Sequence, residues 1–329
     1  MIRRLALLLL LLQNSCGFIE GKNSTPNGCT TDGGSLHCDY FAKVDGLRQI
    51  DILVVVDNSG SMSEEQTNMG DRFPNFIAGL GGTRWRLGIT TTDVSIFGAQ
   101  GRLLPFGING VRYIDNDTPD AEAIFRAAVQ IGVGGSGDER GIYAATLAVE
   151  ANESNWIRSD SQLAVIILSD EDERGSGNNL ELKDRPANFI ATVKRELGQG
   201  KPVSVHSIVT RPGDTVCATS HAGSGGGFII GPPILEYGTV YAELTQMTDG
   251  ILGDICAANY ASQLEEIADD IVSDIESFDL QCEPSGGVTV EISPAPKTPI
   301  ATSVEGTRLY FERPLSPGVE VRLVYDCGT

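Results

Sequence analysis

The chain has 329 residues, 41% of them hydrophobic, enough for one domain of about 200 to 230 residues plus a smaller satellite. Lysine and arginine number 24 against 44 acidic residues, and the resulting formal charge of −20 argues against nucleic acid as a partner. With three histidines, His37, His206 and His221, and no Cys-x-x-Cys pair, a zinc or redox centre is not expected, and neither an internal repeat nor a second apolar segment of membrane-spanning length is found.

The amino-terminal segment reads as an export signal. Met1-Ile2-Arg3-Arg4 is a short basic head, and Leu5 to Leu12 is an apolar run too short to cross a bilayer as a helix. Gln13-Asn14-Ser15-Cys16-Gly17 then resembles the lipobox cut by bacterial lipoprotein signal peptidase, although Gln13 stands where that family usually has leucine. The resemblance implies lipidation at Cys16. Gly17 lacks the aspartate that usually retains lipoproteins at the inner membrane, which implies an outer-membrane lipoprotein facing periplasm or exterior, with membrane contact only through the lipid. Ordinary secretion is the alternative. Residues 17–45, rich in Gly, Asn, Ser and Thr, read as a tether stapled by Cys29 and Cys38.

From residue 46 the pattern changes. Ile50 to Val56 is a near-continuous branched apolar run, as a strand buried on both faces of a parallel sheet requires. Ser63-Glu64-Glu65-Gln66 has the form of a capping box before helically spaced Met69, Phe73, Phe76, Ile77 and Leu80, and Pro74 within that stretch predicts a kink or break. There follow a strand over 85–92, an edge strand pair over 102–113, a helix over 120–129, a glycine-rich loop over 132–137 and a helix over 140–150. Further on come strands over 163–168 and 203–209 with a helix over 186–197 between them, a helix over 241–247, a strand over 250–256 and a helical spacing from Leu264 to Phe278. This alternation predicts a doubly wound α/β domain over 46–280, its mostly parallel sheet flanked by helices. Residues 281–329 alternate at strand period with prolines between, predicting a small antiparallel β unit. Apart from Cys16, the even set of six cysteines suits an oxidising compartment. Position favours Cys29 with Cys38, Cys217 with Cys256, and Cys282 with Cys327.

The chemistry concentrates in Asp57-Asn58-Ser59-Gly60-Ser61. It follows the most buried strand, and so occupies the carboxyl edge where open α/β sheets bind ligands. Asp57, Ser59 and Ser61 are hard oxygen donors on one side of a tight turn, suited to a divalent cation, Mg2+ or Ca2+. The bland alternative is a helix cap. Here the sequence resembles the von Willebrand factor type A family, whose metal-ion-dependent adhesion site begins with Asp-x-Ser-x-Ser after a hydrophobic strand; the likeness runs over about residues 49 to 278. The resemblance implies a further role for Asp170, after the strand Ala164 to Leu168, and for the loop Gly137-Asp138-Glu139-Arg140-Gly141. Where the family has threonine three residues before that glycine, this chain has Asp138. A direct carboxylate there would partly neutralise the cation, weakening its demand for an acidic partner group and favouring calcium. Asp138 is read equally as a ligand and as a helix cap. Thr91, Thr92 and Glu139 are further candidate donors.

Other clusters carry less. Asp170-Glu171-Asp172-Glu173 is read as a solvated loop in preference to an auxiliary cation site, Asp115 to Asp120 as a loop ending in a cap, and Trp85 and Trp156 as packing residues. The insertion over 211–235 leaves the sheet at the metal edge, with Gly223, Gly225, Gly226 and Gly227 preceding an apolar patch, Phe228, Ile229 and Ile230, that would contact a partner or pack as a short strand. The expected function is metal-dependent adhesion: a protein ligand, gripped through an acidic side chain, with a glycan as the weaker alternative. A scaffold with a non-functional metal loop is one rival. A hydrolase is another, disfavoured because haloacid dehalogenase-like phosphatases need an aspartate where Ser59 stands, and because His206 sits within a strand.

Overall fold

The computed structural model describes residues 29–32, 35–43, 48–107, 109–174, 179–199, 201–222, 235–273, 277–296, 299–311, 315 and 319–327. The export segment with Cys16, and the loop carrying Gly223 to Gly227 and Phe228, Ile229 and Ile230, lie outside the described residues. Two compact units form: one from Gly46–Ser277 with Phe311–Pro317, the other from the chain's two ends.

The chain enters the structure as two antiparallel strands, β1 (Cys29–Asp32) and β2 (Ser35–Lys43). The larger unit then follows as β3 (Arg48–Val56), α1 (Ser63–Gly79), β4 (Thr83–Thr91), β5 (Ile114–Asp115), α2 (Ala121–Val129), α3 (Gly141–Ala151), β6 (Gln162–Ser169), α4 (Pro186–Glu196), β7 (Val203–Val209), α5 (Thr215–His221), α6 (Thr239–Met247), β8 (Leu252–Asp254) and α7 (Ala261–Ser273). Its sheet has the order β5-β4-β3-β6-β7-β8, parallel throughout except for β5. The predicted α/β class is the observed one. Successive side chains of β3 explain it: Ile50, Ile52, Val54 and Val56 pack under α1, α2 and α7, while Leu53 and Val55 pack under α3, α4 and α6. At about 1.5–3 kcal/mol for each fully buried large apolar side chain, a register slip of one residue is excluded.

Several local expectations change. The helix α1 runs through Pro74, giving up one backbone hydrogen bond rather than breaking. Ser63 begins that helix instead of capping it, because Gln66, the proposed box partner, turns to the loop behind: its Nε2 donates to the carbonyls of Asp57 (3.0 Å) and Gly132 (2.9 Å). Among the described residues of 102–113 the pairing is a bridge between Phe106 and Val111, and the edge strand is β5. The helical spacing to Phe278 ends early, since Phe278 lies in a strand.

The remaining strands, β9 (Ser277–Asp279), β10 (Thr289–Ser293), β11 (Thr302–Glu305), β12 (Arg308–Phe311) and β13 (Glu320–Cys327), fall in the second unit except for Ser277 and Phe311. β13 pairs with β10 on one side and β2 on the other, giving a sheet ordered β1-β2-β13-β10; a second sheet is ordered β11-β12-β9. The segment expected as a tether thus supplies two strands, with a partner hundreds of residues away in sequence. Cys282 is bonded to Cys327. Cys38 is disulfide-bonded and faces Cys29 across the β1–β2 ladder.

Candidate metal centre

Four parallel strands end at one edge of the large sheet, and the polar residues that follow them meet there. Asp57 follows β3, its amide donating to the Leu168 carbonyl at the end of β6 (2.9 Å). It is wholly buried. Oδ1 accepts from the Ser59 amide (2.7 Å) and Oδ2 from the Ser169 hydroxyl (2.6 Å), while the Ser59 and Ser61 hydroxyls lie 3.3 Å apart. The turn is stitched from outside by Gln66 and by Gly135, whose amide donates to the Asn58 carbonyl (2.8 Å). A Cβ at 135 would fall 2.4 Å from the Asn58 side-chain amide, so a larger residue there would displace that side chain.

Three more carboxyl groups crowd this turn. Asp170, after β6, is 4% exposed; its Oδ2 is 2.9 Å from His221 Nδ1, and its Oδ1 is buried without a hydrogen bond. Glu139, wholly buried, accepts from the Thr92 hydroxyl and leaves Oε1 unpartnered. Glu171 leaves its buried Oε2 unpartnered. Their electrostatics agree with their positions. Burial, and next the charge of Asp170, pushes Asp57 up to about 6. Burial and the charge of Asp57 push Glu139 up to about 10, and burial with the charges of Glu236, Asp57 and Asp170 pushes Glu171 up to about 8. The donors are hard oxygens, three of them buried atoms without a hydrogen bond, a set whose chemistry suits a divalent cation.

In the loop before α3 the wholly buried carboxyl is Glu139, whereas the Asp138 side chain is partly exposed. Asp138 turns aside to Arg174, with Nε 3.4 Å from Oδ1, and takes its own amide bond to the Ser136 hydroxyl (3.0 Å). Nor does Asp138 cap α3. That task falls to Glu173, which accepts from the amides of Ile142 (2.8 Å) and Tyr143 (3.1 Å). Asp172 does the same for α6 through the Val240 amide (2.9 Å). The run from Asp170 to Glu173 is therefore not a solvated loop: Asp170 and Glu173 are buried, Asp172 meets a helix start, and helix N-termini favour carboxylates. Thr91 accepts from the Asp93 amide (3.2 Å), and Thr92 is engaged by Glu139.

Elsewhere, Asp115 closes its own turn, accepting from the Thr118 hydroxyl (2.8 Å), and Asp120 makes no side-chain cap to α2. Trp85 and Trp156 are buried packing residues, and His206 is buried on β7. Gln66 and His221 reach this site without a local sequence signal: Gln66 fits a capping pattern, and His221 lies in the insertion over 211–235. Cys217, His221 and Cys256 place ligand atoms within 4.8 Å of one another, yet the two sulfurs are joined in a disulfide and offer no thiolate.

Among the described residues no helix is long and apolar enough to cross a membrane. No family model and no curated protein matches the chain. Among solved structures it is similar to the pilus adhesin SpaC from Lactobacillus rhamnosus GG, at 13% identity and a TM-score of 0.43, over 89% of this chain and 41% of that one. It is also similar to proximal thread matrix protein 1 from the mussel byssus with a zinc-occupied MIDAS motif, at 13% identity and a TM-score of 0.34, over 70% of this chain and 47% of that one. The chain spans less than half the length of each of these structures.

Proposed function

We propose that the larger unit is a binding module of the von Willebrand factor type A kind, in which Asp57, Ser59, Ser61 and Asp170, with Glu139 in place of the usual threonine, hold a divalent cation. The observation that carries this reading is the set of buried, unpartnered carboxyl oxygens around Asp57: Glu139 Oε1, Asp170 Oδ1 and Glu171 Oε2. Leaving such groups without partners costs about 1–3 kcal/mol each or more. The carboxylate count favours Ca2+ over Mg2+, and leaves the bound cation less hungry for an acidic group than a hydroxyl-lined site would. Apolar contact must then contribute to the grip. Ile96 and Phe97, 80% and 93% exposed, and Val133 stand on loops tied to this edge, since Asp93 Oδ2 accepts from the Ser136 amide (3.2 Å). That combination suits a protein partner at the cell envelope, with this chain exported and lipid-anchored through Cys16. Titrating Ca2+ and Mg2+ into the full chain by calorimetry tests the proposal: wild type binds, Asp57→Ala does not, and absence of heat from wild type removes the cation from the function. In the rival scaffold reading, Glu139, held up at about 10, keeps its proton and the cluster stands without metal.

A further inference from the structure

The helix α5 is seven residues long, too short to stand by itself in water. Two devices hold it. At its start, Asp214 Oδ1 accepts from the amides of Val216 (3.2 Å) and Cys217 (3.0 Å). One residue further in, buried Cys217 is bonded to Cys256, just beyond β8. His221 closes the helix one turn after Cys217, on the same face, and a ring nitrogen of His221 lies within 4.8 Å of both sulfurs. From that position Nδ1 reaches Asp170 Oδ2 at 2.9 Å, while Nε2 stands 4.0 Å from Glu65 Oε1. The imidazole thereby engages one oxygen of Asp170, and the other, Oδ1, remains buried and unpartnered.

We infer that His221 is a positioning residue for the cation site, and that the Cys217–Cys256 disulfide sets cation affinity by holding the imidazole against Asp170. This rests on the cation-binding reading above. A carboxylate next to a metal needs its second oxygen fixed, and loss of such outer partners typically lowers metal affinity about 10- to 100-fold. Here the fixing group closes a short element that, among the described residues, is held by the Asp214 cap at its start and by the bridge, and of the two only the bridge lies beside the imidazole. A covalent link that never touches the cation therefore acts on it at one remove, through Cys217, one helical turn, His221 and Asp170.

Calorimetric titration of Ca2+ into the full chain separates the steps. His221→Phe fills the same space without a donor and lowers affinity about 10- to 100-fold; His221→Asn restores an N–H near Nδ1 and recovers most of it. Cys217→Ser with Cys256→Ser behaves like His221→Phe, while thermal melting in chelator verifies that each variant is folded. If wild type binds no cation, the reading above and this inference fall together. If wild type binds and His221→Phe binds within twofold of it, or His221→Asn binds no better than His221→Phe, His221 has no positioning role and the reading above survives. If the double serine variant binds like wild type, the disulfide is removed from the mechanism.

Discussion

Asp51 and Asp57 lie on one strand and its immediate exit, both wholly buried, and the protein treats them in opposite ways. Around Asp51 it supplies its own cation: Arg158 Nε approaches at 2.8 Å, the Arg158 amide donates at 2.6 Å, and the Ser161 hydroxyl completes the set, with Lys201 behind it. Around Asp57 it supplies more carboxyl groups, Glu139, Asp170 and Glu171, and burial, aided by the charges of neighbouring carboxylates, raises the proton affinities of Asp57, Glu139 and Glu171. Burial of charge is tolerable only with compensation. At the amino end of the strand that compensation is built into the sequence, whereas at the carboxyl end it has to come from protons or from a cation. The first arrangement is architecture, and the second is the one on which the proposed cation site rests.

The largest effect is expected where the compensation is internal. Arg158→Ala leaves Asp51 buried without its counter-ion and lowers unfolding free energy by about 3 kcal/mol, measured by urea denaturation, by the same amount in Ca2+ and in chelator. A change in cation affinity in this variant would break the separation between the two ends. Asp57→Asn is expected to behave in the reverse manner. It removes repulsion, so in chelator it is at least as stable as wild type. Calcium at a hundred times its dissociation constant stabilises wild type by about 2.7 kcal/mol and leaves the variant's melting temperature unmoved.

A third buried group sharpens the rule, because it is compensated by neither route. His206, in the middle of β7, accepts from the Ile251 amide through Nδ1 (3.1 Å), and Nε2 lies 3.2 Å from the Ser204 hydroxyl; burial pushes it down to about 3 even with Asp270 Oδ2 at 3.8 Å from Nδ1. The unfolded chain takes up this proton near the ordinary value of 6.5 while the folded chain does not. Stability from this group is therefore complete above that value and falls as pH drops from about 6.5 towards 3, by about 2 kcal/mol at pH 5. His206→Gln flattens that slope in urea midpoints measured against pH; an unchanged slope assigns the acid sensitivity elsewhere.

How much of this was readable in advance follows from the range of the interactions. β3 and β6 announce themselves because a strand covered on both faces is mostly apolar, β7 is marked by its Val and Ile positions around Ser204, His206 and Ser207, and Asp57 is placed by adjacency to β3. The choice of Glu139 over Asp138 is not local: Arg140 leaves the helical region (φ −140°, ψ 58°), so which carboxyl turns inward depends on the loop's path, pinned at Gly135 to Asn58. The charge run after β6 looked solvated because its partners, the amides of Ile142 and Val240, are far off in the chain. β2 was hidden for the same reason, since its long neighbour β13 lies at the opposite terminus.

The smallest expected effect on stability tests whether the Asp57 end faces a partner at all. Phe97 is 93% exposed on a loop that is nonetheless well tied: the Gly98 amide donates to the Ser95 carbonyl (3.0 Å), the Gln100 amide to the Asp93 carbonyl (3.1 Å), and Gln100 Nε2 to the Ser95 carbonyl (3.0 Å). A loop held by its own hydrogen bonds has no structural use for a solvent-facing phenyl ring, so Phe97→Ala shifts unfolding free energy by no more than about 0.5 kcal/mol. Cation affinity by calorimetry stays at the wild-type value, because Phe97 belongs to none of the carboxyl contacts. Capture is where the loss appears: immobilised wild type in Ca2+ retains an envelope protein that chelator releases, and Phe97→Ala retains it more weakly. Equal capture by Asp57→Asn would take the cation out of the grip, and equal capture by Phe97→Ala would leave the cation as the sole anchor and move the apolar contact to another loop of the same edge.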